Sequence, residues 1–465
     1  MTKFKRVFRA TAAILLMVFI LQFFMPPPPA AALTPFRNLA AEAAILVERE
    51  TGQILFSHNA FARHPADDLT KIMTLYLAAR AVENDEISDN ELVLMTEAAW
   101  DDIDERSSTL NILPGETMTF IDLIYSAYVG NANEAANMIA LRLAGSTSAF
   151  VRQMNDMATE IGAANTNFVN PHGQHHPNQF TTAHDMFLIY SHASRSMLFN
   201  EVSSTFRHTT ETIDEFESRT FTTSNTLIVP GSIYFYRHAL SGKDSATFEG
   251  GHSLVASAEE NNMFLISVIL GSYVEMFEDG SADIKSLSET QRLFHWGYNE
   301  FAWREILRTT DLLDRVPVLH GSGTDFVNAR PAEPLTVLIA NSIPNEAFER
   351  RVTLRYDEDN PIVAPVDAGH LLGEVTIQHA GTEYARIPLI ANTSVELSGI
   401  EYIRIQVVEM LTSTAARNVI IVLVLLVLLY AALVIRHNVL RARRRRRVRN
   451  AKQDLIQDRH RNFRE

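Results

Sequence analysis

The segment Pro65-Ala66-Asp67-Asp68-Leu69-Thr70-Lys71-Ile72-Met73-Thr74 decides how this chain reads. Leu69, Ile72, Met73, Leu75, Tyr76 and Leu77 recur at helical spacing and predict a buried helix over 69–81. Positions three apart share a helix face, which places Asp68 beside Lys71 at the start of that helix. Downstream, helices are predicted over 120–128 and 134–144, separated by Gly130-Asn131-Ala132-Asn133. Further helical spacing runs through 149–161, 181–194 and 283–298. Between the last two lies Ser241-Gly242-Lys243-Asp244-Ser245, followed by strand-like runs over 253–258 and 263–270.

Upstream, residues 44–56 read as a hairpin whose apolar arms flank a Thr-Gly turn. Helices mixed with hairpins predict an α/β (α+β) domain over 33–304. The character then changes. Short β runs (LTVLIAN, RRVTLRY, GEVTIQH, ARIPLIA and YIRIQVV) predict a small all-β sandwich domain over 305–410.

The two ends read as membrane signals. Lys3, Lys5, Arg6 and Arg9 precede an apolar run, four prolines and three alanines, the pattern of a signal peptide over 1–32. Near the other end, uncharged apolar residues bracketed by Arg417 and Arg436 predict a transmembrane helix over 418–435. The tail, 436–465, contains RARRRRRVR, and positive charge marks the cytoplasmic side. The ectodomain then faces outward from the cell membrane.

The chain has 465 residues, 41 of them basic and 55 acidic, for a net charge of −14. Its 46% hydrophobic content excludes a wholly disordered chain. With no cysteine, disulfide scaffolds, Cys-ligated zinc, iron–sulfur clusters and thiol nucleophiles are excluded. Setting the basic ends aside leaves a net −27 on 33–417, which disfavours nucleic acid as a partner. Only six of the basic residues are lysine, and Lys71, Lys243 and Lys285 are the three in the exported part. In a chain that otherwise uses arginine, a lysine suggests a need for a compact ammonium.

The three polar segments, in this order and spacing, resemble the D-alanyl-D-alanine carboxypeptidases, low-molecular-weight penicillin-binding proteins of serine peptidase family S11. ETGQ in the first hairpin, FVNPHG at 168–173, TTAHD at 181–185 and APVDAGHLLGEVTIQ at 364–378 strengthen the resemblance. It implies a serine β-lactamase/DD-peptidase-like domain that trims the terminal D-Ala from peptidoglycan stem peptides. It also implies three motifs: S-x-x-K, S-x-N and K-T-G. In that chemistry the serine attacks the carbonyl, the lysine takes its proton, and the third motif supplies a cation for the terminal carboxylate.

This chain departs from those motifs. Asp68 stands at the nucleophile position, with Lys71 at the general-base position. Asn131 replaces the second-motif serine while Asn133 matches. In the substrate-binding third motif Lys243 matches, and Asp244 and Ser245 replace threonine and glycine. A carboxylate at position 68 is favoured in its ionised form by Lys71, and in turn favours the ammonium of Lys71, making that lysine a poorer base. A developing oxyanion near a fixed negative charge is disfavoured.

The resemblance therefore implies a catalytically impaired member that binds stem peptides at their D-Ala-D-Ala end, or a cell-wall enzyme. An active carboxypeptidase or related amide hydrolase with altered chemistry is the alternative, and an envelope scaffold with a vestigial cleft is a third reading. Asn133 also opens a predicted helix and can be read as a cap. His172, His175, His176 and His184 cluster in sequence but lack metal-ligand spacing, so no metal and no cofactor is expected.

Overall fold

In the computed structural model, which describes residues 34–461 apart from 106, 214 and 215, the strand Ala43–Glu48 (β1) is buried at all six positions. Such a run is stable only where both faces of a sheet are covered. β1 hydrogen-bonds on one side to Ile54–His58 (β2), closing the predicted hairpin. The Glu48 carboxylate holds the turn, accepting from the backbone and hydroxyl of Thr51 at 2.8 and 2.7 Å.

Three long strands complete an antiparallel sheet: Ala239–Thr247 (β3), Gly251–Glu260 (β4) and Met263–Ser272 (β5). Their order across the sheet is β2-β1-β5-β4-β3, which leaves β3 on an edge. Successive side chains point to opposite faces. Ile45, Val47, Val255, Ile266 and Val268 enter one apolar core, whereas Leu46, Leu254, Ala256 and Leu265 enter another.

Helices Lys71–Glu83 (α1), Phe120–Tyr128 (α2), Asn133–Ala144 (α3), Thr147–Ile161 (α4), Ala183–Ala193 (α5) and Met197–Ser204 (α6) supply residues to the first core. The second core lies under Lys285–Glu300 (α7), through Leu287 and Phe294. Thr119, Ser146, Thr182 and Ser196 cap α2, α4, α5 and α6 by accepting a backbone N–H three residues on.

The described residues divide into two compact units, one running to 304 and taking in 337–345, the other made of 305–336 and the residues from 346 onward. The excursion matters for one predicted run: most of LTVLIAN belongs with the first unit, where Leu338 and Ala340 join the second core.

The second unit is built on a sheet of Asp314–Leu319 (β6), Phe326–Pro331 (β7), Glu349–Leu354 (β8), Ile362–Val363 (β9), Leu371–His379 (β10) and Thr382–Ala391 (β11). They are ordered β8-β10-β11-β7-β6-β9. YIRIQVV is not a strand. It lies within the helix Gly399–Thr412 (α8), whose N-cap Ser398 accepts from Glu401 N. Tyr402, Ile403, Ile405, Val407 and Val408 fit either periodicity, and the S-x-x-E start decides for the helix.

The last helix, Thr414–Arg461 (α9), contains the predicted 418–435 stretch and is long and apolar enough over Arg417–Arg447 to be a candidate membrane span. The signal peptide expected over 1–32 lies outside the described residues.

Candidate active site

The first motif enters through a 3-10 turn, Asp67–Thr70, that runs into α1. Asp67 has φ 41°, a left-handed conformation that aspartate adopts more readily than most side chains. Three sequence-distant residues hold it. Thr247 Oγ1 donates to the Asp67 carboxylate at 2.5 Å, and His175 Nδ1 lies 3.5 Å from its other oxygen. Gly173, at φ 88°, packs so tightly on the Asp67 carbonyl that a β-carbon there would overlap it.

Asp68 thereby borders a cleft of about 690 Å³. Its Oδ1 accepts from Lys71 Nζ at 2.6 Å, and the same ammonium donates to the His172 carbonyl at 2.5 Å. Burial works against the Asp68 carboxylate. The charges of Lys71 and Lys243, with hydrogen bonds from Lys71 and Asn131, outweigh it and hold the carboxyl below its ordinary 3.8.

Lys71 is 1% exposed, and burial pulls it below its ordinary 10.5. This corrects the expectation for that lysine: the Asp68 charge does favour the ammonium, but burial exceeds it. His172, the carbonyl partner, is brought down to about 3 by burial and by the neighbouring ammonium.

The second motif lies between α2 and α3. Asn131 has φ 56° and turns its amide toward Asp68. Asn133 is the first residue of α3, not its cap. Ala132 occupies the cap position, where no side chain satisfies the helix end. The Asn133 N–H is held by the Ser108 carbonyl at 2.9 Å, and the residue lines the cleft.

Glu134 anchors the wall behind, its Oε1 accepting from Leu110 N at 2.7 Å and Ile112 N at 3.3 Å. Burial raises this carboxyl above its ordinary 4.5, against those hydrogen bonds.

The third motif occupies edge strand β3, where alternation sorts the side chains. Ser241, Lys243, Ser245 and Thr247 point to one face and meet Tyr190, the Tyr128 ring, Asp68 and Asp67 in turn. Ser245 Oγ accepts the Asp68 backbone N–H at 3.2 Å. Lys243 is 2% exposed, its Nζ 5.6 Å from the centre of the Tyr128 ring and without a hydrogen-bond partner among the described residues. Asp244 instead borders the cleft, its Oδ1 held by the Ser224 hydroxyl at 2.7 Å.

All seven residues singled out from sequence thus converge. Asp68, Asn131, Asn133 and Asp244 line the cleft, while Lys71, Lys243 and Ser245 are buried beside them. The histidines do not gather: His172 Nδ1 accepts from Gln174 N, His176 Nδ1 from Asn178 N, and His184 packs on Phe61.

Sequence reasoning missed Asp67, Glu134, Ser224 and Thr247. Only Glu134 carried a local signal, and an acidic residue in a first helical turn reads as complement to the helix dipole.

A sheet carrying a lysine on its edge strand, facing a second lysine at a helix start and an asparagine-bearing turn, defines a DD-peptidase-type penicillin-binding fold. Penicillin-binding protein 5 from Haemophilus influenzae has this fold, with a TM-score of 0.57 and 25% identity over 78% of this chain and 99% of that one. Penicillin-binding protein 6B from Escherichia coli has it too, with a TM-score of 0.57 and 21% identity over 77% of this chain and 98% of that one.

The family model described as D-alanyl-D-alanine carboxypeptidase, Peptidase_S11, matches residues 29–273, and the chain belongs to that family. D-alanyl-D-alanine carboxypeptidase DacF of Bacillus subtilis (strain 168) is 26% identical over 360 residues, 77% of this chain and 87% of the relative. DacC of Escherichia coli (strain K12) is 28% identical over 375 residues, 77% of this chain and 85% of the relative.

Proposed function

We propose that this protein is a membrane-anchored member of the cell-wall carboxypeptidase family that binds peptidoglycan stem peptides at their D-Ala-D-Ala end without forming an acyl-enzyme. The observation that carries the reading is the 2.6 Å ion pair between Asp68 and Lys71. A lysine base at this position takes the proton of an attacking hydroxyl, and here it faces an ionised carboxylate that has no proton to give up. Direct attack by that carboxylate would produce a reactive anhydride, not a durable ester.

Four further features support the reading. The Asp68 charge opposes an oxyanion forming beside it. The Asp68 N–H, a backbone donor at the nucleophile position, is already taken by the Ser245 hydroxyl. Lys243 lies buried beside the cleft lining with no hydrogen-bond partner among the described residues, so its side chain can draw a ligand carboxylate toward that wall. The basic tail beyond the candidate span supports a cytoplasmic C-terminus and an extracytoplasmic cleft.

The test uses the full-length protein in detergent, a fluorescent penicillin and a stem pentapeptide ending in D-Ala-D-Ala. Expected are no covalent labelling, no D-Ala release above the Asp68→Ala background, and peptide binding weakened about tenfold or more by Lys243→Ala. Labelling or release that disappears in Asp68→Ala would overturn the impaired reading in favour of an active hydrolase. Failure to bind the pentapeptide would shift the ligand to a cell-wall enzyme.

A further inference from the structure

The cleft holds more hydrogen-bond acceptors than its own donors satisfy. Asn133 is 3% exposed, lines the cleft, and has no partner for its Oδ1 among the described residues. The amide of Asn131, turned toward Asp68, likewise leaves its Oδ1 without a partner among the described residues. A buried amide oxygen without a donor is costly, and a ligand N–H relieves it.

The walls add charge of one sign. Asp244 and Glu249 both border the cleft, on the edge strand and on the β3–β4 hairpin. Among the described residues lining it there is neither lysine nor arginine. Asp244 stands where the family motif has a neutral threonine, so a ligand that is only an anion meets repulsion on its way to Lys243. Carboxylates lining a cleft concentrate cations.

We propose that the peptide ligand of this cleft carries a protonated amine, held by Asp244 and Glu249, with the amide oxygens of Asn131 and Asn133 taking its N–H groups. The inference rests on reading the cleft as a peptide site and adds the charge class of the peptide: zwitterionic, with its carboxylate toward Lys243 and its ammonium at the rim.

Calorimetry on the full-length protein in detergent, at low salt, compares Nα-acetyl-L-Lys-D-Ala-D-Ala with its Nα,Nε-diacetyl form. The two share a C-terminus and differ in one positive charge. The free amine is expected to bind roughly fivefold more tightly, a factor set by two partly exposed carboxylates. That preference is expected to vanish in Asp244→Asn/Glu249→Gln. Glu249→Gln alone, at the exposed hairpin, is expected to lose part of it and serves if the double variant unfolds.

Equal binding of both peptides to the unaltered protein would overturn this inference and leave the peptide reading standing. A preference that survives in both variants would overturn the assignment to these carboxylates. Binding of neither peptide would overturn both readings.

Discussion

Lys71 and Lys243 are two buried ammonium groups with opposite surroundings. Lys71, at the start of α1, is hydrogen-bonded to a carboxylate and to a backbone carbonyl. Lys243, on edge strand β3, has an aromatic ring near it and no hydrogen bond among the described residues. Burying an ammonium is costly unless a partner offsets the lost hydration. The first lysine finds its partners inside the chain. The second retains a capacity that a ligand carboxylate can use. The contrast supports a division of labour in which Asp68 has turned Lys71 into a structural cation while Lys243 stays available for recognition.

The largest expected effect comes from breaking the closed half. Asp68→Ala leaves Lys71 buried without its counter-ion and is expected to cost about 3–5 kcal/mol in denaturant unfolding of the full-length protein. A loss under about 1 kcal/mol would break the comparison. The same pair sets an acid limit. The Asp68 carboxyl is held below 3.8, so its contribution is fully present above that value and is lost as pH falls through the lower folded-state value. Unfolding titrations from pH 5 to pH 2 are therefore expected to fall more steeply in the unaltered protein than in Asp68→Ala.

Lys243→Met tests the open half. It removes a buried charge with no hydrogen-bond partner among the described residues; the relieved burial offsets the lost attraction to Asp68, and stability is expected to change by less than about 1 kcal/mol in either direction. A loss as large as that of Asp68→Ala would mean the two lysines are equivalent. Smallest is Ser245→Ala, which strips the acceptor from the Asp68 N–H and is expected to cost about 1 kcal/mol. Faster hydrogen exchange at that amide would sharpen the picture of a backbone donor closed off by a side chain.

Much of the fold was legible because its signals are local. The apolar run of β1, the helical spacing behind Lys71 and the apolar stretch of α9 each follow from residues close together in sequence. β3 was not. Its core, Ser-Gly-Lys-Asp-Ser-Ala-Thr, has little apolar character and becomes a strand through its ladder with β4, where Lys243 pairs with Val255 and Ser245 with Ser253. Propensity cannot announce a strand whose stability comes from its neighbour. The helix at YIRIQVV failed differently: its apolar residues satisfy two periodicities, and the decision lay in the cap at Ser398.

The sequence alone determined which groups are present. Asp68 stands where the family places its serine, Lys71 follows three residues later, and an apolar stretch suited to a bilayer precedes a basic tail. These are statements of identity, short spacing and composition, and none depends on distant contacts.

Tertiary structure decided what each group does with its neighbours. The His172 carbonyl reaches Lys71 across 101 positions, the Ser245 hydroxyl reaches the Asp68 N–H across 177, and Thr247 reaches Asp67 across 180. Burial also reversed the net shift expected for Lys71. The strength of a charge interaction depends on how much water the fold has removed around it, and that quantity belongs to the assembled chain.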